Sequence, residues 1–463
     1  MNDKGHDRVI SLQLLNLRSK KFFAIFLIIL IAQFIDLTIG TLADLFKDFA
    51  VSPLGIGLFS TISAIYGIGQ YFILRTVKAT IGQSEAKENR SHLTLIRNVV
   101  TITQYVLIAI MASIVLQIII NSEYYTNLLA IGATISYGLA AILTGLLAYR
   151  FLSWFRRNRA LVVVMYGLAA AAISVNAMDT IIFFDIIIFQ TKPIVTTPGT
   201  EVVFPDLTAL GMTLVSDMQA VSLNGYFILT WAGTILLLRH NIQRIGKMRF
   251  WVLVSVPMVF FMSFYIGFYQ SINGSPTPSN EEDLSAILLP IMLTLLSTKA
   301  AIILFGLGFR SVARSIIETN KVRDYMMITA YGFILFFTAA AATISGAGYP
   351  PFGIANVLLV GPFSYLILIG LYGSAISIAQ DTKLRQSIKS STRDELKLLD
   401  SIGISELQRE TERKVIATTK ANAEIMTQKS GIEPSLTEEE IHEILNQVAS
   451  EIRSKKGKEK DQT

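Results

Sequence analysis

Ten long apolar stretches constrain the fold of this chain more than any other feature of its sequence. Each is about 19 residues or longer, the length at which an α-helix crosses the hydrocarbon core of a bilayer. We place them at 22–43, 54–74, 98–120, 127–149, 160–189, 220–238, 250–269, 284–309, 325–345 and 353–379. The sequence therefore predicts an all-α fold, a polytopic transmembrane bundle of about ten spans followed by a helical cytoplasmic tail.

Composition supports the same class and argues against several enzymes. Only 16% of the 463 residues are charged, whereas a soluble domain has about 25%. Cysteine is absent, which excludes disulfides and thiolate chemistry. All four histidines fall in predicted cytoplasmic segments: His6, His92, His240 and His442. None of them can therefore be an axial ligand of a haem within the membrane or the base of an intramembrane protease. We predict no catalytic residues, no metal and no cofactor, and the sequence favours a protein that is not an enzyme.

The distribution of lysine and arginine predicts the orientation. The N-terminus and the loop 75–97 have five each, and the loops 150–159, 239–249 and 310–323 have four each. The alternate loops contain only Lys47 and Lys192. Because short basic loops stay cytoplasmic, we expect a multi-pass protein of the cell membrane with both termini inside. The first span lacks a following cleavage site and is expected to remain as an anchor. The net charge of +6 reflects this topology, so no nucleic-acid partner is predicted.

We divide the chain into a cytoplasmic N-terminal segment 1–21, a transmembrane domain 22–379 and a cytoplasmic tail 380–463. Within the domain, "YGLAAAAISVN" from Tyr166 is similar to "YGFILFFTAAAATIS" from Tyr331, and "YFILTWAGTILLL" from Tyr226 to "YLILIGLYGSAISI" from Tyr365. This similarity is consistent with two parallel four-helix repeats, 98–238 and 250–379. Composition alone also makes apolar helices look alike, so both explanations stay open.

The tail differs in kind from the rest of the chain, with 15 basic and 16 acidic residues. Capping-box spacing at Ser405 with Gln408 and at Thr437 with Glu440 marks two helix starts. We expect helices near 383–401, 406–429 and 438–455, with few core residues and coiled-coil character. Since no catalytic motif occurs here, the tail is interpreted as a binding element for a cytoplasmic protein partner.

Four polar residues at membrane depth form the candidate intramembrane site: Asp36, Asn176, Asp179 and Lys299. A charge near a helix centre costs at least ~2.5 to 3.5 kcal/mol, so each suggests a function. From the cytoplasmic ends of their spans, Lys299 lies at ~15 Å, Asp36 at ~21 Å and Asp179 at ~27 Å. Asp36 therefore matches Lys299 better in depth. Three interpretations of Lys299 stay open. It forms a structural pair, it is a gating or ion-coupling charge, or it forms a Schiff base.

The last interpretation comes from "LLSTKAAIILFGLGFRS", which resembles the retinal-lysine helix of microbial rhodopsins over about 17 residues. The resemblance implies that Lys299 would bind retinal. The positions before the lysine depart from that family, with Thr294 and Leu295 in the region of an expected acid, and span four supplies no carboxylate counterion. We therefore do not assign the chain to the family. An aspartyl intramembrane protease is also disfavoured, because "QFID" and "NAMD" lack the Gly-x-Gly-Asp motif.

Two function classes remain. The first is a membrane sensor or scaffold that signals through the tail, by helix shifts at polar contacts. The alternative is a secondary transporter, for which repeats and midplane polar residues are typical. The scarcity of charged residues and the absence of a matched pair of broken helices favour the first. The lipid bilayer is the predicted partner in either case, together with a cytoplasmic protein at the tail, and the sequence indicates no oligomeric state.

Overall fold

The computed structural model describes residues 20–41, 47–82, 90–122, 124–190, 210–239, 242, 246–272, 284–316, 321–341, 350–390 and 396–430. Their regular elements are helices: α1 (Lys20–Thr41), α2 (Lys47–Ala50), α3 (Pro53–Gly82), α4 (Arg90–Asn121), α5 (Thr126–Arg157), α6 (Leu161–Gln190), α7 (Leu210–Leu238), α8 (Lys247–Ile272), α9 (Leu284–Ser315), α10 (Lys321–Ala340), α11 (Ile354–Gln380), α12 (Thr382–Ser390) and α13 (Lys397–Ser430). The predicted all-α class is therefore confirmed for these residues.

Seven described helices are long and apolar enough to cross a membrane: α1, α3, α4, α5, α6, α7 and α11. The predicted spans seven to nine fall on α8, α9 and α10. Many side chains of α8 and α9 lie outside the described residues, and α10 begins with three charged residues, Lys321, Arg323 and Asp324. The apolar helices suggest a membrane protein, and the count of ten spans stays a prediction.

Helix α11 lies at the centre of the bundle. Every residue from Ile354 to Leu371 is buried. Its sequence is apolar on all sides, which is typical of a helix surrounded by other helices. It packs against α1, α3, α4, α5 and α10 within the bundle, and against α12 and α13 beyond its C-terminal end.

The other helices pack in two series. In the first series, α4 to α7, each helix contacts the next, and the same holds in the second series, α8 to α11. The two series also meet reciprocally, because the last helix of each contacts the second helix of the other. Helix α7 packs on α9, and α11 packs on α5.

Small residues bring α11 close to two of its neighbours. A methyl group added at Gly370 would meet the Thr329 side chain and lie 2.7 Å from the Tyr325 carbonyl oxygen of α10. At the contact of α11 with α5, a methyl group added at Gly361 would lie 2.6 Å from the Ser136 carbonyl oxygen. Such close backbone approaches are typical of helix pairs in membranes.

The tail departs from its predicted helix bounds. A single helix, α13, runs through the break that we expected near 402–405. Ser405 lies inside this helix, and its hydroxyl donates to the Trp154 carbonyl oxygen of α5 (3.1 Å). The predicted capping box at Ser405 is therefore wrong, because the hydroxyl bonds to a neighbouring helix. Thr437, the predicted helix 438–455 and most of the segment 1–21 lie outside the described residues.

Candidate functional site

Asp36 forms the centre of a buried polar network between α1 and the N-terminal end of α11. Its Oδ1 atom accepts a hydrogen bond from the Gly353 backbone N–H, and its Oδ2 atom accepts one from the Asn356 side-chain amide, both at 2.9 Å. Asp36 and Asn356 are fully buried. The carboxyl group of one helix therefore caps the N-terminus of another.

The same network joins two further helices, α3 and α10. The Asn356 amide also donates to the Gln33 carbonyl oxygen (3.2 Å), and the Tyr66 hydroxyl of α3 donates to Asn356 Oδ1 (3.5 Å). The Gln33 amide reaches the Leu335 carbonyl oxygen of α10 at 3.4 Å. Four helices, α1, α3, α10 and α11, are thus connected at one end of the bundle, which we call the Asp36 end.

The backbone at the start of α11 explains why Asp36 can reach it. Gly353 has a φ of 93°, the left-handed conformation that glycine adopts without strain. The first N–H groups of a helix have no partner within it, and they carry partial positive charge. A carboxyl group from another helix supplies the missing acceptor. Because both oxygens already have donors, the geometry favours a structural role for Asp36.

Lys299 on α9 does not pair with Asp36 in this structure. Its ammonium group lies 5.2 Å from the centre of the Phe34 ring of α1, two residues before Asp36. Among the described residues, Lys299 forms no ion pair and Asp36 bonds only to groups of α11. The depth comparison favoured Asp36 over Asp179 as the partner, and the structure has Lys299 against the Phe34 ring of the same helix as Asp36. The contact itself is a cation–π interaction, which is worth ~0.5 to 2 kcal/mol.

Asn176 and Asp179 lie on α6, and Asn176 contacts α7. The Asn176 amide donates to the Ser222 hydroxyl of α7 (3.0 Å). Asp179 is 5% exposed, and its Oδ2 atom has no hydrogen-bond partner among the described residues. No described hydrogen bond or ion pair joins the four predicted residues to one another, and their role as one site stays a prediction.

A second polar contact connects the bundle to α13, at the end opposite Asp36. The Trp154 indole N–H of α5 donates to Glu406 Oε2 (2.9 Å), and Trp154 is buried. Arg157 and Glu412 form an ion pair at 2.8 Å, with both side chains partly exposed. A buried hydrogen bond to a charged group contributes ~1.5 to 3 kcal/mol, whereas exposed ion pairs contribute ~0 to 1. The Trp154 contact therefore dominates.

We call this contact, formed by α13 residues 397–412 with α5 and α11, the tail dock. Its apolar part is Leu398, Leu399 and Ile402, all of which are buried. At Gly403, an added methyl group would lie 2.9 Å from Ile378 Cβ of α11. The sequence predicts few core residues in the tail, and the structure adds that these three apolar side chains pack on the bundle next to Trp154.

Aromatic rings fill the contact between the two helix series. Tyr166 of α6 lies 5.1 Å from Phe309 of α9, and Phe309 lies 4.7 Å from Phe333 of α10, as ring centroids. Farther along, Tyr226 of α7 lies 5.8 Å from Phe337 of α10. Such distances are typical of packed aromatic pairs. The described helices are therefore closely packed where the two series meet.

Sequence reasoning missed the residues that complete the two polar contacts: Gln33, Tyr66, Asn356 and Glu406. The predicted set contains three charged residues and one amide, Asn176, but not the amides of spans one and ten. Asn356, six residues after the pair Pro350 and Pro351 begins, stands in an otherwise apolar run. An isolated amide in an apolar run could have identified Asn356 from the sequence. The sequence gives no such indication for Glu406, because a glutamate on a charged helix is usually solvated.

Comparison with known proteins assigns no family. No family model, no curated protein and no solved structure matches the chain. Among the residues that the structure describes, no group of three or more histidine, aspartate or glutamate side chains could hold a metal ion. The apolar helices are compatible with a multi-pass membrane protein.

Proposed function

We propose that this chain is a multi-pass membrane protein that acts as a sensor or scaffold, with α11 coupling the bundle to a cytoplasmic helix that binds a protein partner. In this proposal the ten predicted spans cross the cell membrane and both termini are cytoplasmic. The Asp36 end then faces outward, and the tail dock lies at the inner face. The observation that carries the proposal is the attachment of α13 to the central helix.

Helix α11 supports the coupling because it is one continuous element between the two polar contacts. Asp36 binds its first residues, and α13 packs on its last turns through Ile378 and Gly403. A buried helix transmits a shift at one end to the other, since close-packed interiors deform little. A change in the Asp36 network is therefore expected to alter the tail dock.

Helix α13 supports the partner-binding role because its two halves differ in exposure. Residues 398–406 include the buried dock, whereas the second half has exposed apolar side chains. Val415 is 37%, Ile425 49% and Met426 70% exposed. Exposed apolar groups on a helix that is anchored at one end are suited to bind another protein. The partner surface is assigned to the tail segment 380–463, with its described part at 411–430.

The partner-binding role can be tested with a photoactivatable amino acid at Met426 of the full chain in native membranes. We expect a discrete protein adduct on illumination. The matched control places the same group at Ile142 of α5, which is 63% exposed and apolar. In the proposed orientation Ile142 faces lipid and yields no protein adduct. Adducts at both positions, or at neither, would contradict a specific partner at α13.

A second candidate function, secondary transport, is favoured by the reciprocal packing of the two helix series. We match each helix of the series α4 to α7 with the helix at the same place in the series α8 to α11. The contact of α7 with α9 then corresponds to the contact of α11 with α5. Parallel repeats of this kind occur in transporters. This pattern supports the predicted repeats 98–238 and 250–379, whereas the packed aromatic contact between the series disfavours an open pathway.

Transport is tested by solute and proton flux in liposomes containing the reconstituted protein. If transport is correct, Lys299→Met and Asp36→Asn abolish the flux, and truncation after residue 413, which keeps the tail dock, leaves it intact. If the wild-type chain moves none of a broad panel of solutes and Met426 captures a specific protein, transport is excluded in favour of the scaffold.

A further inference from the structure

A cavity of about 570 Å³ lies between α3 and α4, with Leu358 and Leu359 of α11 as its floor. This volume is within the range of small-molecule sites in proteins. Most of the wall is apolar, and several wall residues are also exposed on the outside of the bundle, among them Ile68 and Leu116. The cavity therefore reaches the surface of the bundle, where an apolar ligand can enter.

Two buried polar side chains of α3 lie in the cavity wall with unused hydrogen-bonding atoms. Ser63 and Gln70 are 5% and 4% exposed. Among the described residues, Ser63 Oγ and Gln70 Oε1 have no hydrogen-bond partner. Buried polar groups are normally paired, and an unpaired one costs stability. These two atoms therefore indicate a ligand that supplies the missing partners.

Three other serine and threonine residues of α3 with described hydrogen bonds differ from Ser63. Ser60, Thr61 and Thr76 each donate to the carbonyl oxygen four residues earlier in the same helix. This is the usual arrangement for a hydroxyl within an apolar helix. Ser63 Oγ has no such bond among the described residues. Its hydroxyl is left for a group inside the cavity.

The chemistry of the wall defines the ligand. No charged side chain lines the cavity, and a charge near the middle of a membrane helix is costly. The ligand is therefore uncharged. Gln70 Oε1 requires a donor, and the Ser63 hydroxyl can donate or accept. Ser63 and Gln70 lie on one face of α3, two turns or about 10 Å apart. The ligand thus presents two polar groups along its length, followed by an apolar chain.

We propose that this cavity binds a single-chain lipid with an uncharged glycerol head, a monoacylglycerol. A glycerol hydroxyl donates to Gln70 Oε1, and the ester carbonyl accepts from the Ser63 hydroxyl. The acyl chain lies against the apolar side chains of α4 and the leucines of α11. Gly67, between the two polar residues, leaves open space there, since an added methyl group would have no atom within 4 Å. The inference requires the membrane placement proposed above, but not the role of the tail.

The test uses the purified full-length protein in phosphatidylcholine nanodiscs and three photoactivatable probes with the same acyl chain. They are the monoacylglycerol, the methyl ester, which lacks hydroxyl groups, and the free fatty acid, which is charged. We expect the monoacylglycerol to label α3 and α4 peptides at least about fivefold more than either other probe. The methyl ester also has a carbonyl group that can accept from Ser63, so the added hydrogen bond is the one from the glycerol hydroxyl to Gln70 Oε1, and a single bond of about 1 kcal/mol predicts this ratio. Unlabelled monoacylglycerol should compete.

Variants assign the preference to the two polar side chains. In the double variant Ser63→Ala, Gln70→Leu, labelling by the monoacylglycerol should fall to the level of the methyl ester. Ser60→Ala is the matched control, because Ser60 lines the same cavity but its hydroxyl bonds within α3. Equal labelling by the three probes in the wild-type protein would overturn the proposal, and this comparison does not depend on how the variants fold. An unchanged preference in the folded double variant would overturn it as well.

Discussion

At the scale of single residues, polar side chains within the bundle act mainly as connections between helices. Ser136 of α5 illustrates this role. Its hydroxyl accepts from the Gly361 backbone N–H (3.0 Å) and donates to the Val357 carbonyl oxygen (2.8 Å), both on α11. These two backbone groups are four residues apart and would normally bond to each other. Pro362 follows directly, and the serine supports the backbone at that point.

We expect Ser136→Ala to lower the free energy of unfolding by about 1 to 2 kcal/mol, because two interhelical hydrogen bonds are lost. The measurement is equilibrium unfolding of the purified protein in mixed micelles. Ser374→Ala is the matched control, since Ser374 is equally buried but donates only to Leu371 of its own helix. A loss of stability in the control that equals that of Ser136→Ala would contradict the interhelical role.

At the scale of helices, the sequence located most elements but not the partners of their side chains. The predicted spans 22–43 and 127–149 correspond to α1, Lys20–Thr41, and to α5, Thr126–Arg157. Apolar length alone was sufficient for these, because the signal is local to each segment. The difference at the end of α5 has a physical cause: Trp154 and Arg157 continue the helix beyond the apolar run to contact α13.

The tail shows why some of the site could not be predicted. Local capping signals suggested a helix start at Ser405, but burial against α5 outweighs a local cap. Asn356 lies more than 300 residues from Gln33 and Asp36 in the chain. No periodicity within one segment reports such a contact. The depth comparison selected the Asp36 carboxylate for Lys299, but depth along each helix does not report which side chains meet, and the structure has the Phe34 ring at that place.

Packing between α10 and α11 provides a prediction at this scale. Gly370→Leu should lower stability by about 2 kcal/mol or more, because a side chain there overlaps Thr329 and the Tyr325 carbonyl oxygen. Gly138→Leu on α5 is the control, since an added methyl group there has no atom within 4 Å. Thermal unfolding of both variants in the same detergent gives the comparison. Equal melting temperatures for the two would contradict the close contact.

At the scale of the whole molecule, the proposed topology predicts which loops face each side of the membrane. The chain has no cysteine, so a single introduced cysteine is an unambiguous label. Asn121→Cys, at the end of α4, should react with an impermeant maleimide in intact cells. Arg159→Cys, between α5 and α6, should react only after permeabilisation. Both positions are exposed. The opposite pattern would reverse the orientation and place the tail outside.

The central claim is that α11 couples the Asp36 network to the tail dock, and a cysteine at Leu399 tests it most directly. Leu399 is fully buried in the dock, so a Leu399→Cys thiol is protected from maleimide while the dock is closed. Asp36→Asn places an amide donor against the Asn356 amide. Through α11 this should raise the labelling rate at least about tenfold, which corresponds to ~1.4 kcal/mol of local opening.

Two further variants complete the measurement. Glu406→Ala, which removes the Trp154 hydrogen bond, should raise the labelling rate directly and shows that the assay detects opening. Asp179→Asn, another buried carboxyl group without a described contact to α11, should leave the rate unchanged. The account predicts faster labelling with Asp36→Asn and with Glu406→Ala, and no change with Asp179→Asn. The account is contradicted if Asp36→Asn leaves the labelling rate equal to that of the parent Leu399→Cys protein while Glu406→Ala raises it.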